Sequence, residues 1–217
     1  MISWSKLHHL INFIQSRYAP RGSYVAFTST GEDLLIAQIL KKMSVTNPAY
    51  IDIGSHHPIF ENNSYLLYRQ GGRGLLIEPN FIFSNLAKNK RPGDMVLGIG
   101  VGPIDAMSDF FQFKQSTRNT FSIEIANQWE KISNQKKEAV KLNISSLDSL
   151  IKKYWSNKNI DLLSIDAEGY DYQILANFSW SIRPKILCVE SISSNSKKRN
   201  PELYKLLAQQ KYAIHSE

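Results

Sequence analysis

Four stretches that read as β-strands in this chain end in acids, and two histidines sit beside the first. Tyr50-Ile51-Asp52-Ile53 runs into Gly54, Ser55, His56 and His57. Leu75-Leu76-Ile77 ends at Glu78, Leu162-Leu163-Ser164-Ile165 ends at Asp166 with Glu168 close behind, and Ile186-Leu187-Cys188-Val189 ends at Glu190. In an open parallel sheet the ligand crevice lies beyond the carboxyl ends of the strands, so residues that end strands converge on one rim. Gly54 permits a sharp turn and a close approach of backbone to ligand, and Glu78 is placed as the usual strand-end acceptor for ribose hydroxyls. No second and third glycine follow Gly54. That counts against a pyrophosphate, hence against NAD or FAD, and favours a nucleoside without one.

The acids can share a rim only if their strands lie side by side. Strands are expected near 49–53, 73–78, 95–101, 108–113, 139–143, 160–165, 185–190 and 211–215. Helices are expected near 63–70, 80–88, 122–132, 146–155, 169–177 and 201–210. The continuous apolar runs at 75–77 and 162–165 suit strands covered on both faces. The fold class is therefore α/β, an open sandwich with a mostly parallel sheet and helices on both faces. Ahead of it, Leu7, Leu10, Ile11 and Ile14 at helical spacing predict a helix over 4–17, and Glu32-Asp33 open another that carries Leu34, Leu35, Ile36, Ile39 and Leu40. The expected organisation is an N-terminal helical extension over 1–26 and one domain over 27–217. The polar stretch 191–200 reads as a loop.

Bulk properties exclude several classes. The 217 residues carry 26 Lys+Arg against 19 Asp+Glu, a net charge of +7, which favours anionic partners without naming one. The basic residues sit in polar stretches such as Lys136-Lys137 and Lys197-Lys198-Arg199, which read as solvated faces, so charge alone does not make this a nucleic-acid binder. The single cysteine, Cys188, precludes an intrachain disulfide and a cysteine zinc cluster. Its apolar neighbours mark it as a structural thiol. With no run approaching ~18 apolar residues and no signal-peptide pattern, no transmembrane segment is expected and a cytoplasmic location is.

Three ordered stretches then resemble a known family. "DIGSHHPIFENNSYLLYRQGGRGLLIEPN" (52–80), "IDLLSIDAEGYDYQIL" (160–175) and "STGEDLLIAQIL" (29–40) are similar to segments of the FkbM-type methyltransferases, with "SSLDSLI" (145–151) fitting the segment before the second. The resemblance implies a class I, Rossmann-like, S-adenosylmethionine-dependent O-methyltransferase acting on a hydroxyl of a saccharide or small polar metabolite. It implies that Asp52, Gly54 and Ser55 line the methionine moiety with His56 and His57 near it, that Glu78 binds the ribose, and that Val101 and Gly102 border the adenine. Methyl transfer then requires a hydroxyl held in line behind the methyl carbon and a proton taken from it. Asp166 is expected nearest the transferred methyl and Glu168 to orient the acceptor or take its proton, with His56 or His57 as other candidate bases. Asp166 and Glu190 could also hold a divalent ion, Mg or Mn by their oxygen ligands. A zinc site at His56 and His57 is not expected, because adjacent side chains diverge and no cysteine is near.

Other functions remain open on the sequence: an RNA methyltransferase, suggested by the charge; a non-catalytic S-adenosylmethionine-binding module; and a nicotinamide-dependent oxidoreductase. Class I sheets also end in a hairpin, whereas this chain stops at "YAIHSE" with room for only its first strand. The final strand is therefore expected to be missing or replaced.

Overall fold

The computed structural model describes residues 25–156, 159–191 and 199–216. The helix expected over 4–17 and most of the 191–200 loop lie outside them. In chain order the elements are α1 (Glu32–Lys42), β1 (Ala49–Ile53), α2 (Tyr65–Arg69), β2 (Arg73–Ile77), α3 (Phe81–Lys90), β3 (Met95–Leu97), β4 (Gly100–Gly102) and β5 (Ala106–Gln112). A 3-10 turn at Ser116–Arg118 precedes α4 (Ile123–Ser133), β6 (Glu138–Ser146), α5 (Leu147–Tyr154), β7 (Leu162–Ile165), α6 (Asp171–Ala176), β8 (Ile186–Val189) and α7 (Pro201–Gln209). Among the described residues no helix is long and apolar enough to cross a membrane.

Five strands form one parallel sheet in the order β3-β2-β1-β7-β8. The order reverses between β1 and β7, and such a switch point opens a crevice at the strands' carboxyl ends. Strand parity divides the core. Ile51, Ile53, Leu75, Ile77, Leu163 and Ile165 face α5, α6 and α7, whereas Tyr50, Leu76 and Leu162 face Ile36 and Leu40 of α1, Leu67 of α2 and Ala87 of α3. Both faces being covered explains why these strands read as mostly apolar on both parities, without an alternating polar face.

The expected strand 95–101 is two strands. β3 ends the main sheet, while β4 joins a second, three-stranded sheet, β4-β6-β5, in which β5 runs antiparallel to β6. Gly98 and Gly100 flank the break. A Cβ at Gly100 would lie 2.4 Å from the Phe121 ring, so glycine there lets the second sheet seat against that ring. The expected strand at 211–215 does not form: residues 212–216 pair with no strand, and Tyr212 is tied back by donating its hydroxyl to the Pro184 carbonyl at 2.6 Å.

The α1–α3 face is organised by a fully buried arginine. Arg91 donates from Nε to Asp94 at 2.7 Å, and from its two terminal nitrogens to Asn62 at 2.9 Å, Tyr50 Oη at 2.9 Å and Ser64 Oγ at 3.0 Å. Ser64 in turn donates to Asp52 at 2.5 Å, and Asp94 accepts the Gly74 amide at 2.8 Å. The guanidinium also lies 5.1 Å from the Tyr68 ring centroid. Every buried charge here has a partner. Removing the cation would leave Asp94 and Asp52 uncompensated, so Arg91→Ala should cost about 3–5 kcal/mol of stability. Urea unfolding reads this directly; a loss below about 1 kcal/mol would show the network to be dispensable.

Candidate active site

The turn after β1 sits at the switch point, and its geometry depends on Gly54. Its φ is +71, and a Cβ there would lie 1.8 Å from the carbonyl oxygen of Asp166, so the backbones of the β1 and β7 turns touch where any side chain would part them. His56 follows with φ +44, which aims its amide at Glu78 Oε2, 2.7 Å away. The other Glu78 oxygen accepts the Asn80 amide at 2.7 Å. Asn80 caps α3 by accepting from the Ile82 amide. One strand-end acid thus fixes both neighbouring turns.

The turn after β7 is built similarly. Glu168 has φ +46 and Gly169 φ +100, and buried Asp171 accepts the amides of Ala167 and Gly169 at 3.0 and 3.2 Å. Thr120, from the loop after β5, donates its hydroxyl to the Glu168 carbonyl at 2.9 Å. From that loop Ser116 also meets His56 Nε2 at 2.9 Å, which roofs the space between the turns.

The resulting cleft, about 150 Å³, is lined by Gly54, His56, Glu78, Val101, Asp166 and Glu168 among the residues expected at the site. Ser116, Thr117 and Asn119, from the loop after β5, line it too. The structure keeps the remaining site residues out of the cleft. Asp52 points to the α1–α3 face by strand parity and is absorbed in the Arg91 network, held by Ser64 and by Asn62 at 3.3 Å. His57 accepts the Ile59 and Phe60 amides at its Nδ1, at 3.2 and 3.1 Å, which makes it a clamp of the turn. Ser55 is buried with its hydroxyl unpartnered. Gly102 packs beneath Ile144. Phe110, Thr120 and Phe121 also line the cleft, and they carry no sequence signal beyond ordinary core spacing.

A second, larger groove of about 660 Å³ runs along β8 and shares Asp166 and Glu168 with the cleft. Glu190 and Cys188 line it. Cys188 is half-buried, its thiol pushed up to about 12 by burial and by the charges of Glu32, Asp52 and Asp166.

The electrostatics of this rim are one-sided. Among the described residues no Lys or Arg lines the cleft. Burial, and then the charges of Asp166, Glu190 and Asp171, push Glu168 up to about 8. Burial likewise takes Glu78 to about 7 against the two amide hydrogen bonds. Asp166 and Glu190 have surface open to the cleft and groove, yet surrounding protein withdraws them from bulk water; with repulsion from Asp171 and Asp52 the first rises to about 6, and with repulsion from Asp166 and then Asp171 the second rises to about 7. Burial lowers His56, which favours the neutral ring. Among the described residues no three His, Cys, Asp or Glu side chains form a set that could hold a metal ion.

The sequence matches the family described as "Methyltransferase FkbM domain" over residues 52–214. Among solved structures, a TehB-like SAM-dependent methyltransferase from Corynebacterium glutamicum ATCC 13032 Kitasato is 11% identical with a TM-score of 0.41, covering 94% of this chain and 83% of that one. An O-methyltransferase from Bacillus cereus in complex with SAH is 14% identical with a TM-score of 0.38, covering 95% and 77%. Likeness this loose adds nothing to the strand order above. No curated protein matches the chain.

The raised acids have a thermodynamic consequence. The folded protein holds the Glu168 proton up to about pH 8, whereas an unfolded glutamate releases it near its ordinary value of 4.5. Folded and unfolded states therefore differ in protons bound between those values, and stability falls as pH rises through that window. Without ligand, Tm should decline from pH 5 to 8.5, and Glu168→Gln should flatten the decline. An equal slope in the variant, or a wild-type Tm that rises over this range, would contradict the assignment.

Proposed function

Because the chain belongs to the methyltransferase FkbM family and is a methyltransferase, we propose that it transfers a methyl group from S-adenosylmethionine to a hydroxyl of a saccharide or another small polar metabolite, acting in the cytoplasm. The observation that carries this reading is the cleft at the switch point, lined by acids and, among the described residues, by no Lys or Arg. The fit rests on the donor set: Glu78, Asp166 and Glu168 surround a cleft to which the described residues bring no Lys or Arg, which suits a ligand bringing an ammonium and a sulfonium, and Gly54 leaves the backbone bare at its floor. When bound, the cofactor supplies a methyl group already activated by positive sulfur.

The chain's own residues divide the remaining work. Glu78 keeps lone pairs beyond the two amides it accepts, enough for a pair of ribose hydroxyls. Val101, with Ile99 and Phe121 beside it, offers an apolar wall for a base. Asp166 opens into both cleft and groove, so it can hold the acceptor hydroxyl where the two spaces meet. Glu168 takes the proton once it is ionised, and positive charge brought into the cleft favours that form. His56 positions the loop at 115–119 through Ser116, and His57 holds the turn. The cleft is smaller than the roughly 300–1,000 Å³ of small-molecule sites, so the His56–Ser116 roof must part to admit a nucleoside.

A divalent ion between Asp166 and Glu190 is the second reading, prompted by their mutual repulsion. No third ligand from His, Cys, Asp or Glu completes such a site among the described residues, so the route above involves no metal.

Two measurements test this. Calorimetry with S-adenosylhomocysteine should show Glu78→Ala binding weaker by about 1–3 kcal/mol, the cost of lost hydrogen bonds to a charged acceptor; unchanged affinity would remove Glu78 from the site. With labelled cofactor and a cell extract, label should enter the saccharide and small-metabolite fraction, persist in excess chelator, and fall by about 10²-fold or more in Asp166→Asn while cofactor affinity holds. Label found only in RNA or protein would overturn the acceptor, and abolition by chelator would favour the metal.

A further inference from the structure

Strand β8 is the last of its sheet on that side and is paired to β7 alone. The four residues of β7 are buried, whereas the four of β8 are only half-buried. The helical layers run on past the strand. Leu35 and Ile39 of α1 and Leu207 of α7 line the groove of about 660 Å³ beside it, and none of the three is fully buried. Ile214 also lines the groove, 61% exposed. An open strand edge between apolar walls is a template for pairing with other chains, and folded proteins blunt such edges, one device being a helix or loop laid over them.

The chain carries a segment suited to that place. The sequence predicts a helix over 4–17 with Leu7, Leu10, Ile11 and Ile14 on one face, and Trp4 and Tyr18 extend the same face by the same spacing. A short amphipathic helix is marginal alone in water and needs an apolar surface to pack on. Pro20 and Gly22 then let the chain turn. Its point of entry to the domain is fixed beside the groove. The Phe27 amide donates to Asp33 at 2.7 Å, the Phe27 carbonyl accepts the Glu61 amide at 2.8 Å, and its ring meets Tyr65 edge-on at 4.7 Å. Asp33 is the second residue of α1, and Glu32 before it lines the groove. Residues 18–24 can span about 23 Å when extended, more than the length of α1, roughly 16 Å for its 11 residues. Residues 1–24 also hold no Asp or Glu, so they add no like charge beside Glu32 and Glu190.

We propose that residues 4–17 fold back as a helix over the open edge of β8, seating Leu7, Leu10, Ile11 and Ile14 against Leu35 and Ile39 of α1, the strand edge and Leu207 of α7. The groove is then a seam within one chain. Neither the cleft nor its cofactor enters into this, so the docking stands apart from the methyltransferase reading.

Amide exchange, read by mass spectrometry on the full chain, tests the seam. Leu10→Asp with Ile14→Asp strips the apolar face, and His9→Asp with Asn12→Asp places two new carboxylates on the opposite face. The first pair should quicken exchange over 186–190 by about tenfold or more, and the second should match wild type. β2, on the far side of β1, should exchange equally in all three and so show them folded. Unchanged exchange over 186–190 in the first pair, or equal quickening in both pairs, overturns the docking. A photo-cross-link decides even if the first pair loosens β2 as well. With p-benzoylphenylalanine in place of Ile11, in a mixture of ordinary and isotope-labelled chains, links should join 35–39, 186–190 or 203–207 of the same chain. Links only to other segments, or none, overturn the docking, and links only between chains overturn it in favour of a second copy at this edge.

Discussion

A single guanidinium with no access to water sets the frame on which the rim is built. Arg91 must have all its donors met inside the protein, and the groups that meet them come from β1, the segment before α2, and the loop between α3 and β3. Each partner is thereby committed: Tyr50 donates onward to Asp94, Ser64 to Asp52, and Asp94 takes the first free amide of β2. Burying this charge gains little stability over an apolar substitute of the same volume. What it provides is registration. The carboxyl ends of β1 and β2 are held level with each other, so Gly54 and Glu78 come to the same height.

Above that frame the rim trades stability for readiness. His56 and Glu168 occupy left-handed backbone conformations that non-glycine residues seldom adopt. Four carboxyls there have pKa values raised toward neutrality. Strain and like-charge crowding of this kind persist only where neighbouring structure enforces them, here through Asp171, Thr120 and the Glu78 carboxylate.

Much of this was legible in the sequence, for identifiable reasons. The two-sided burial of β1, β2 and β7 leaves an apolar run at each, so strand positions and the rim acids could be read together. Parity could have placed Asp52 in advance: Ile51 and Ile53 share a face, which sends Asp52 to the other. What could not be read is long-range. Nothing near Arg91 announces that it will be enclosed by residues 27 to 41 positions earlier, and nothing in residues 95–101 says that Gly98 and Gly100 hand the chain from one sheet to another. The expected strand at 211–215 has suitable residues, but Tyr212 is drawn back to Pro184. The two histidines looked alike and differ because their ring nitrogens meet different partners, a serine hydroxyl for one and turn amides for the other.

Gly74 lies in register with Tyr50 on the neighbouring strand, and a Cβ there would come within 2.0 Å of that ring. The ring is in turn fixed by the hydroxyl it offers to Asp94 and Arg91. Four positions drawn from β1, β2 and the loop between α3 and β3 are therefore one unit of inheritance. A lineage that exchanged Gly74 for a larger residue would first have to shrink Tyr50, and without that hydroxyl Asp94 and Arg91 would each lose one of their buried partners. Related chains should then either keep all four or have replaced them together, with few intermediates surviving between.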